Sequence, residues 1–223
     1  MITSPHNDKL KEVRRLQRKR SSRFVAEGED LLAAAQAAGW APVYELHAGV
    51  DVEEALLHGV SSLGSGTRAL GVFEQRWSAP VGPLCVGLWG VRDPGNVGTV
   101  IRGALAFGAA SVALGPECAD PFSPKAVRAS MGAIFSVRVA RVQTVAELPA
   151  PRIALEARGG DVLRGPREGT LLIGAERQGL PGEVLDACDE VAHVPIAGES
   201  LNAAMAATVA LYESTRPVNG WRA

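Results

Sequence analysis

Four polar side chains in this sequence stand where packing has no use for them. Asn96 and Arg102 belong to DPGNVGTVIRGALAFGAASVAL (93–114), Glu176 to GAERQGLP (174–181), and Asn202 to PIAGESLN (195–202). Each stretch is rich in glycine or polar residues, follows an apolar run and opens toward a helical pattern. In an open α/β sheet such strand exits are where ligands gather, because loops and helix N-termini converge there. A guanidinium, a carboxylate and two carboxamides can bind a ligand, orient it and stabilise charge. Singly, each loop has a plainer explanation: GAERQGLP as a turn with glycines at positive φ, SLNAAMAA as a helix capped by Ser200. Their joint occurrence at strand ends points to a site. The three cysteines and four histidines are scattered without a C-x-x-C pair, so no metal site is expected.

The elements that must position these residues follow from periodicity. LCVGLWGV reads as a buried strand, Pro94-Gly95 as a turn, and Asn96 as the cap of a helix over 97–107 with Val97, Val100, Ile101, Ala104, Leu105 and Phe107 on its apolar stripe. Gly108 ends it, and Ser111–Leu114 returns to strand. Further strands are expected at 135–142, 152–156, 171–174 and 192–196, with helices at 124–130, 182–187 and 201–212. This alternation implies a mainly parallel sheet covered on both faces. Before it, strands at 24–26, 43–47 and 69–73 alternate with helices at 30–38 and 52–58, a second and smaller α/β unit. QRWSAPVGP (75–83) has the composition of a linker. The expected division is therefore 1–75, a linker at 76–83, and 84–223. Gly64, Gly66 and Ala69 fit a loose G-x-G-x-x-A pattern, but a strand-like run follows instead of a helix, which removes it as a dinucleotide signature.

Charge is unevenly spread. The net charge of the 223 residues is −1, yet 9–23 holds eight basic residues and one acid, or +7, leaving −1 − 7 = −8 for the rest. A helix over 9–20 would set Leu10, Val13 and Leu16 on one arc and Lys11, Arg14, Arg15, Arg18 and Lys19 on the other, without matching acids. A solvated face usually mixes signs; this one suits phosphates, with Arg23 following. No apolar run approaches the length of a membrane span, and the reading is a cytoplasmic protein without a membrane partner.

The three stretches also resemble the SpoU (TrmH) family of RNA ribose methyltransferases, of the SPOUT class. DPGNVGTVIRGALAFGA is similar to its first motif, LLIGAERQGLP to its second and VPIAGESLNAAMAATVALYE to its third, with PFSPKAVRASMGAIF between them. EVRRLQRKRSSRFVAEGEDLL resembles the RNA-binding extension found in many members. The resemblance implies a SPOUT-type α/β parallel sheet with a C-terminal trefoil knot, where general rules imply an unknotted, doubly wound sheet. It also implies S-adenosylmethionine as cofactor, a homodimer, and an RNA substrate, ribosomal in preference to transfer RNA. Gly174, Ile196 and Leu201 match cofactor-contacting positions, with Ile173, Ala175 and Gly179 beside them in the same motifs. Asn96, Arg102, Glu176, Ser200 and Asn202 match the catalytic set. Two departures stand out. Ala175 replaces a small polar residue, and Gly103 lies mid-helix, where glycine costs about 1 kcal/mol relative to alanine.

The implied reaction moves a methyl group from a sulfonium to a ribose 2′-hydroxyl. Because a guanidinium rarely gives up its proton, Arg102 is expected to act as a cation on the developing alkoxide and an adjacent phosphate, not as a base. Two other classes compete. A nucleotide-dependent oxidoreductase needs a strand–G-x-G-x-x-G–helix unit, which is absent from the sequence; a non-catalytic RNA-binding module would use only the basic arm.

Overall fold

The structure, a computed structural model, describes residues 1–63, 66–165 and 167–216. Gly64 of the discarded glycine pattern lies outside them, and Ala69 opens a strand.

The chain begins with α1 (Asp8–Leu16), capped by Asn7, whose Oδ1 accepts from the Lys9 N–H at 3.0 Å. Leu10, Val13 and Leu16 form its buried stripe. β1 (Arg23–Glu27), α2 (Glu29–Ala37), β2 (Tyr44–His47), α3 (Glu54–His58) and β3 (Ala69–Glu74) follow. The three strands form an antiparallel sheet in the order β1-β3-β2. α1 ends at Leu16, earlier than the helical phase suggested, so Arg18 and Lys19 lie beyond the helix and do not share its outer face.

The second sheet comprises β4 (Leu84–Leu88), β5 (Ser111–Leu114), β6 (Arg138–Arg141), β7 (Arg152–Glu156), β8 (Asp161–Val162), β9 (Gly169–Ile173) and β10 (Glu190–His193). Their order is β6-β5-β4-β9-β7-β10-β8, and every pairing is parallel. α4 (Pro94–Ala106), α5 (Pro124–Ala129) and α6 (Gly182–Asp186) lie in the connections between them, and α7 (Ala203–Thr215) follows β10. β4, β7 and β9 are buried along nearly their whole length, as a sheet covered on both faces demands. Leu88 pairs with Ile173 and Ile173 with Leu155, so three strands end side by side and their exit loops emerge together.

Two details depart from the pattern read off the sequence. The expected strand 135–142 shrinks to β6, because Ala133–Phe135 forms a 3₁₀ turn that delivers Phe135 to an aromatic cluster. There its ring lies 5.9 Å from Phe24, 5.3 Å from Trp40 and 5.2 Å from Phe73, while its carbonyl accepts from Trp40 Nε1 at 2.8 Å. β8 is an edge strand of two residues, too short to carry a period.

The aromatic cluster joins the two sheets. Phe24 of β1 packs 5.0 Å from Phe122, and Trp77 meets Phe122 edge-on at 5.1 Å. Residues 76–83 are held along this seam: Arg76 stacks on Trp40 at 4.2 Å, and the Ser78 N–H donates to the Val139 carbonyl at 2.9 Å.

α7 lies along α4. Ala203, Ala204, Ala207 and Ala210 are buried in the core that includes α4, so these small side chains serve packing within the chain. At Gly103 a Cβ would sit 3.6 Å from Leu211 Cδ1 and 3.7 Å from Thr208 Oγ1, ordinary contacts, so close packing does not require that glycine.

Candidate functional site

The first of the three loops is set by its helix start. Pro94 occupies the first helical turn and Asp93 is the cap, its Oδ1 accepting from the Asn96 N–H at 3.0 Å. The sequence reading gave that cap to Asn96; the D-P-G-N order was the signal for Asp93. Asp93 Oδ2 accepts from Lys125 Nζ at 2.6 Å, and this bond, with the backbone N–H groups of the turn, holds the Asp93 carboxyl below the usual carboxylate range. The cap leaves the Asn96 side chain free to reach outward. α4 and α5 meet closely at Gly98, where any Cβ would lie 2.2 Å from the Ala126 carbonyl oxygen.

The third loop ends in a similar device. Asn202 caps α7, its Oδ1 accepting from the N–H groups of Ala204 at 3.0 Å and Met205 at 3.4 Å. Ser200, the cap expected from sequence, is exposed and lies ahead of it. The Asn202 carboxamide then donates through Nδ2 to Asn96 Oδ1 at 3.2 Å. Asn96 Nδ2 in turn donates to Glu176 Oε1. Three of the five candidate polar residues, one per loop, thus form a continuous hydrogen-bonded chain.

Asn96 and Asn202 line an open pocket on the α7 side, and Glu176 borders a separate cavity of about 330 Å³. Ile173, Gly174, Ala175, Gly179, Ile196 and Leu201 all line it, as do Glu176 and Ser200 at its rim and Leu155 and Glu156 on the β7 side. The loop 174–179 doubles back on itself: the Gly179 N–H donates to the Ala175 carbonyl at 2.9 Å, and Gly179 has φ +65°. A Cβ on Gly174 would lie 2.2 Å from the Gly179 carbonyl carbon, so only glycine permits the fold-back that exposes main chain to the cavity.

Arg102 is not part of this chain. It is exposed on α4, six residues and about 9 Å of helix rise beyond Asn96. Asp93 and Lys125, which fix the first loop, were missed as site residues; Lys125 comes from another helix, out of reach of any local pattern.

Of the six basic residues singled out, Lys11, Arg14 and Arg15 lie on α1, and acids do match some of them. Lys11 pairs with Asp8 at 3.0 Å, Arg15 with Glu12 at 3.6 Å, and Arg23 with both Glu12 at 3.1 Å and Glu74 at 2.7 Å. Arg18, Lys19, Arg20 and Arg23 instead line a groove of about 320 Å³ that continues to Arg92 and Pro94, at the start of α4. The basic segment therefore leads toward the first loop.

Replacing Gly174 with alanine should cost about 1–3 kcal/mol, the usual penalty of forcing an extra methyl into filled space. Urea unfolding measures it, and an unchanged midpoint would contradict the close approach of 174 and 179.

Comparisons with known proteins bear on this site. The model of the SpoU rRNA Methylase family matches residues 83–212. The chain is 42% identical over 135 residues to a ribosomal RNA small subunit methyltransferase G 2 of Syntrophobacter fumaroxidans, and 39% identical over 141 residues to a 23S rRNA (uridine(2479)-2′-O)-methyltransferase of Streptomyces viridochromogenes. Each alignment takes in 56% of this chain, but the chain spans only 26% and 49% of those relatives. Among solved structures, an AdoMet-bound rRNA methyltransferase from Sinorhizobium meliloti is 32% identical with a TM-score of 0.86, each chain covered to 96%. The SpoU methyltransferase AviRb from Streptomyces viridochromogenes, in complex with AdoMet, is 27% identical with a TM-score of 0.83, covering 94% of this chain and 97% of its own. With its seven-stranded parallel sheet and the match running from just before β4 into α7, the chain belongs to the SpoU rRNA methylase family.

Proposed function

We propose that the protein is an S-adenosylmethionine-dependent RNA methyltransferase that modifies a ribose 2′-hydroxyl, with ribosomal RNA as substrate. The observation that carries this reading is the cavity lined by the segments that leave β7, β9 and β10, with Glu176 on its border joined through Asn96 to Asn202. The residues present fit the cofactor. The cavity is in the size range of small-molecule sites, and Gly174 and Gly179 leave backbone open to a nucleoside. Ile173, Gly174, Ala175, Gly179, Ile196 and Leu201 would hold it; bound, it supplies an electrophilic methyl group on sulfur.

The chain's own groups account for the remainder. Asn96, fixed by hydrogen bonds on both sides, and Glu176 orient the incoming ribose, and alignment of this kind can be worth about 7–11 kcal/mol. Ser200 and Asn202 shape the wall between cavity and substrate. Arg102, exposed and cationic, meets the ribose and its phosphate and offsets the charge that builds on the 2′-oxygen. Ala175 carries no side-chain donor, so position 175 acts through its backbone alone. The segment from β9 to α7 carries the trefoil knot that the family resemblance implies, and the RNA substrate places the reaction in the cytoplasm. A transfer-RNA substrate is the second reading, and a non-catalytic RNA-binding role the third; the composite site argues against the last.

RNA approaches along the groove of Arg18, Lys19, Arg20 and Arg23, with Lys11, Arg14 and Arg15 on the adjoining helix. The ion pairs of Lys11 with Asp8 and of Arg23 with Glu74 do not oppose this, since pairs open to solvent contribute little. Such contacts position RNA without reading its sequence. The active form is a homodimer formed on the outer face of α4 and α7, where Leu105, Met205, Val209 and Tyr212 are exposed and Met205 and Val209 line a mainly apolar pocket.

Three measurements test these statements. Arg102→Ala should lower the yield of 2′-O-methylnucleoside, read by mass spectrometry of digested rRNA, by about 10²–10³-fold, with cofactor affinity unchanged; equal loss of both would remove Arg102 from the substrate side. Replacing Arg18 and Lys19 with alanine should reduce the slope of log affinity against log salt by roughly 0.7 per lost phosphate contact on single-stranded RNA. An unchanged slope would make this segment an ordinary solvated surface. Sedimentation at micromolar concentration should show a dimer that Val209→Asp converts to monomer, and a wild-type monomer would overturn the assembly.

A further inference from the structure

One polar group in the cavity has no function in the account above. Glu156 is the last residue of β7, and its side chain enters the cavity wall beside the second loop. Its Oε1 is shielded from solvent and has no hydrogen-bond partner among the described residues. The two carboxylate oxygens lie 3.5 and 3.8 Å from the position a Cβ would take on Gly179, so they sit beside the bare backbone of that glycine in the cavity lining. Glu176, the other carboxylate of the cavity, is engaged by Asn96.

A shielded carboxylate oxygen without a donor is a cost to the fold, because the desolvation of the group is not offset. Nearly all buried polar atoms find partners, and an exception calls for a reason. Packing supplies none here: an apolar residue or a glutamine of the same shape would end β7 as well. The atom is therefore matched to a donor that arrives with the ligand. Carboxylates at the carboxyl ends of parallel strands commonly serve nucleosides in this way, accepting from ribose hydroxyls.

We propose that Glu156 is a cofactor-binding residue whose carboxylate accepts hydrogen bonds from the ribose hydroxyls of the adenosine moiety, making the cavity selective for an intact ribose. This rests on the reading of the cavity as the S-adenosylmethionine site. Glu156 is then a specificity determinant on the cofactor side, apart from the Asn96–Glu176–Asn202 chain.

The test is calorimetry with S-adenosylhomocysteine and with its 2′,3′-dideoxyribose analogue, on the wild type, Glu156→Gln and Glu156→Ala. The wild type should prefer the intact ribose, and both variants should lose roughly 10- to 100-fold in affinity for S-adenosylhomocysteine while binding the dideoxy analogue almost as the wild type does. Melting without ligand is the second readout. The variants should melt at the wild-type temperature or above it, since they remove an unpartnered group; a structural role for Glu156 would lower it. Equal affinity of wild type and variants for S-adenosylhomocysteine would overturn the proposal. So would a parallel loss on both ligands, which would assign the carboxylate to the amino-acid ammonium instead. A wild type that binds neither compound would remove the cofactor reading itself, and this inference with it.

Discussion

Two carboxamides and a carboxylate hold the site together. Asn202 donates to Asn96, which lies 106 positions away in the sequence, and Asn96 donates to Glu176, 80 positions away. No other polar link among the described residues joins the three loops side chain to side chain, and it forms only because β4, β9 and β10 all end on one side of a parallel sheet. Each member needs support. Asn202 is steadied by the two N–H groups it caps, and Asn96 by the turn that Asp93 closes. Asp93 stands at the positive end of α4, where a negative charge is stabilising, and Lys125 keeps its carboxyl below the ordinary range. A group depressed in this way contributes fully above its unfolded pKa of about 3.9 and loses that contribution only as pH falls through its lower folded value. The cap therefore persists throughout the neutral range.

The same support connects the site to the basic segment. Lys125 belongs to α5, which begins just after Phe122, and Phe122 packs on both Phe24 of the small sheet and Trp77 of the connecting stretch. Displacement of the small sheet would disturb α5 and with it the Lys125–Asp93 pair. The core that contains Phe24, Trp40 and Phe73 also contains Val97, Val100 and Ile101 of α4. Basic groove and cavity are thus fixed to one packed interior, as the proposed positioning of RNA against a small cofactor requires.

How much of this was legible in the sequence depended on whether the deciding partner was local. Buried strands such as LCVGL and GTLLI are apolar runs bounded by turn residues, and they are strands. The three loops were readable as a site because glycine and polar residues coincide at strand exits. The Asn96 cap was misread because two capping residues lie three positions apart, and the signal that decides between them, a proline at the first helical position directly after Asp93, was given to a turn instead. Ser200 and Asn202 posed the same choice at α7. The acids that pair with Arg23 were invisible for a different reason: Glu74 is 51 residues away and meets it only across the β1–β3 pairing. Phe135 looked like the start of a strand by composition, but its tertiary contacts with Trp40 and Phe73 prevailed over β propensity. Glu156 gave no signal, because a polar residue at a strand end is unremarkable until the absence of a partner is seen.

The central claim is that the cavity bordered by Glu176 and lined by Gly174 and Gly179 is built for S-adenosylmethionine. Titration calorimetry of the intact chain with S-adenosylmethionine and, separately, with a nicotinamide dinucleotide tests it most directly. The account predicts saturable binding of S-adenosylmethionine at one site per chain and no heat of binding with the dinucleotide. Saturation by the dinucleotide, or no binding of S-adenosylmethionine by a folded protein, would contradict it.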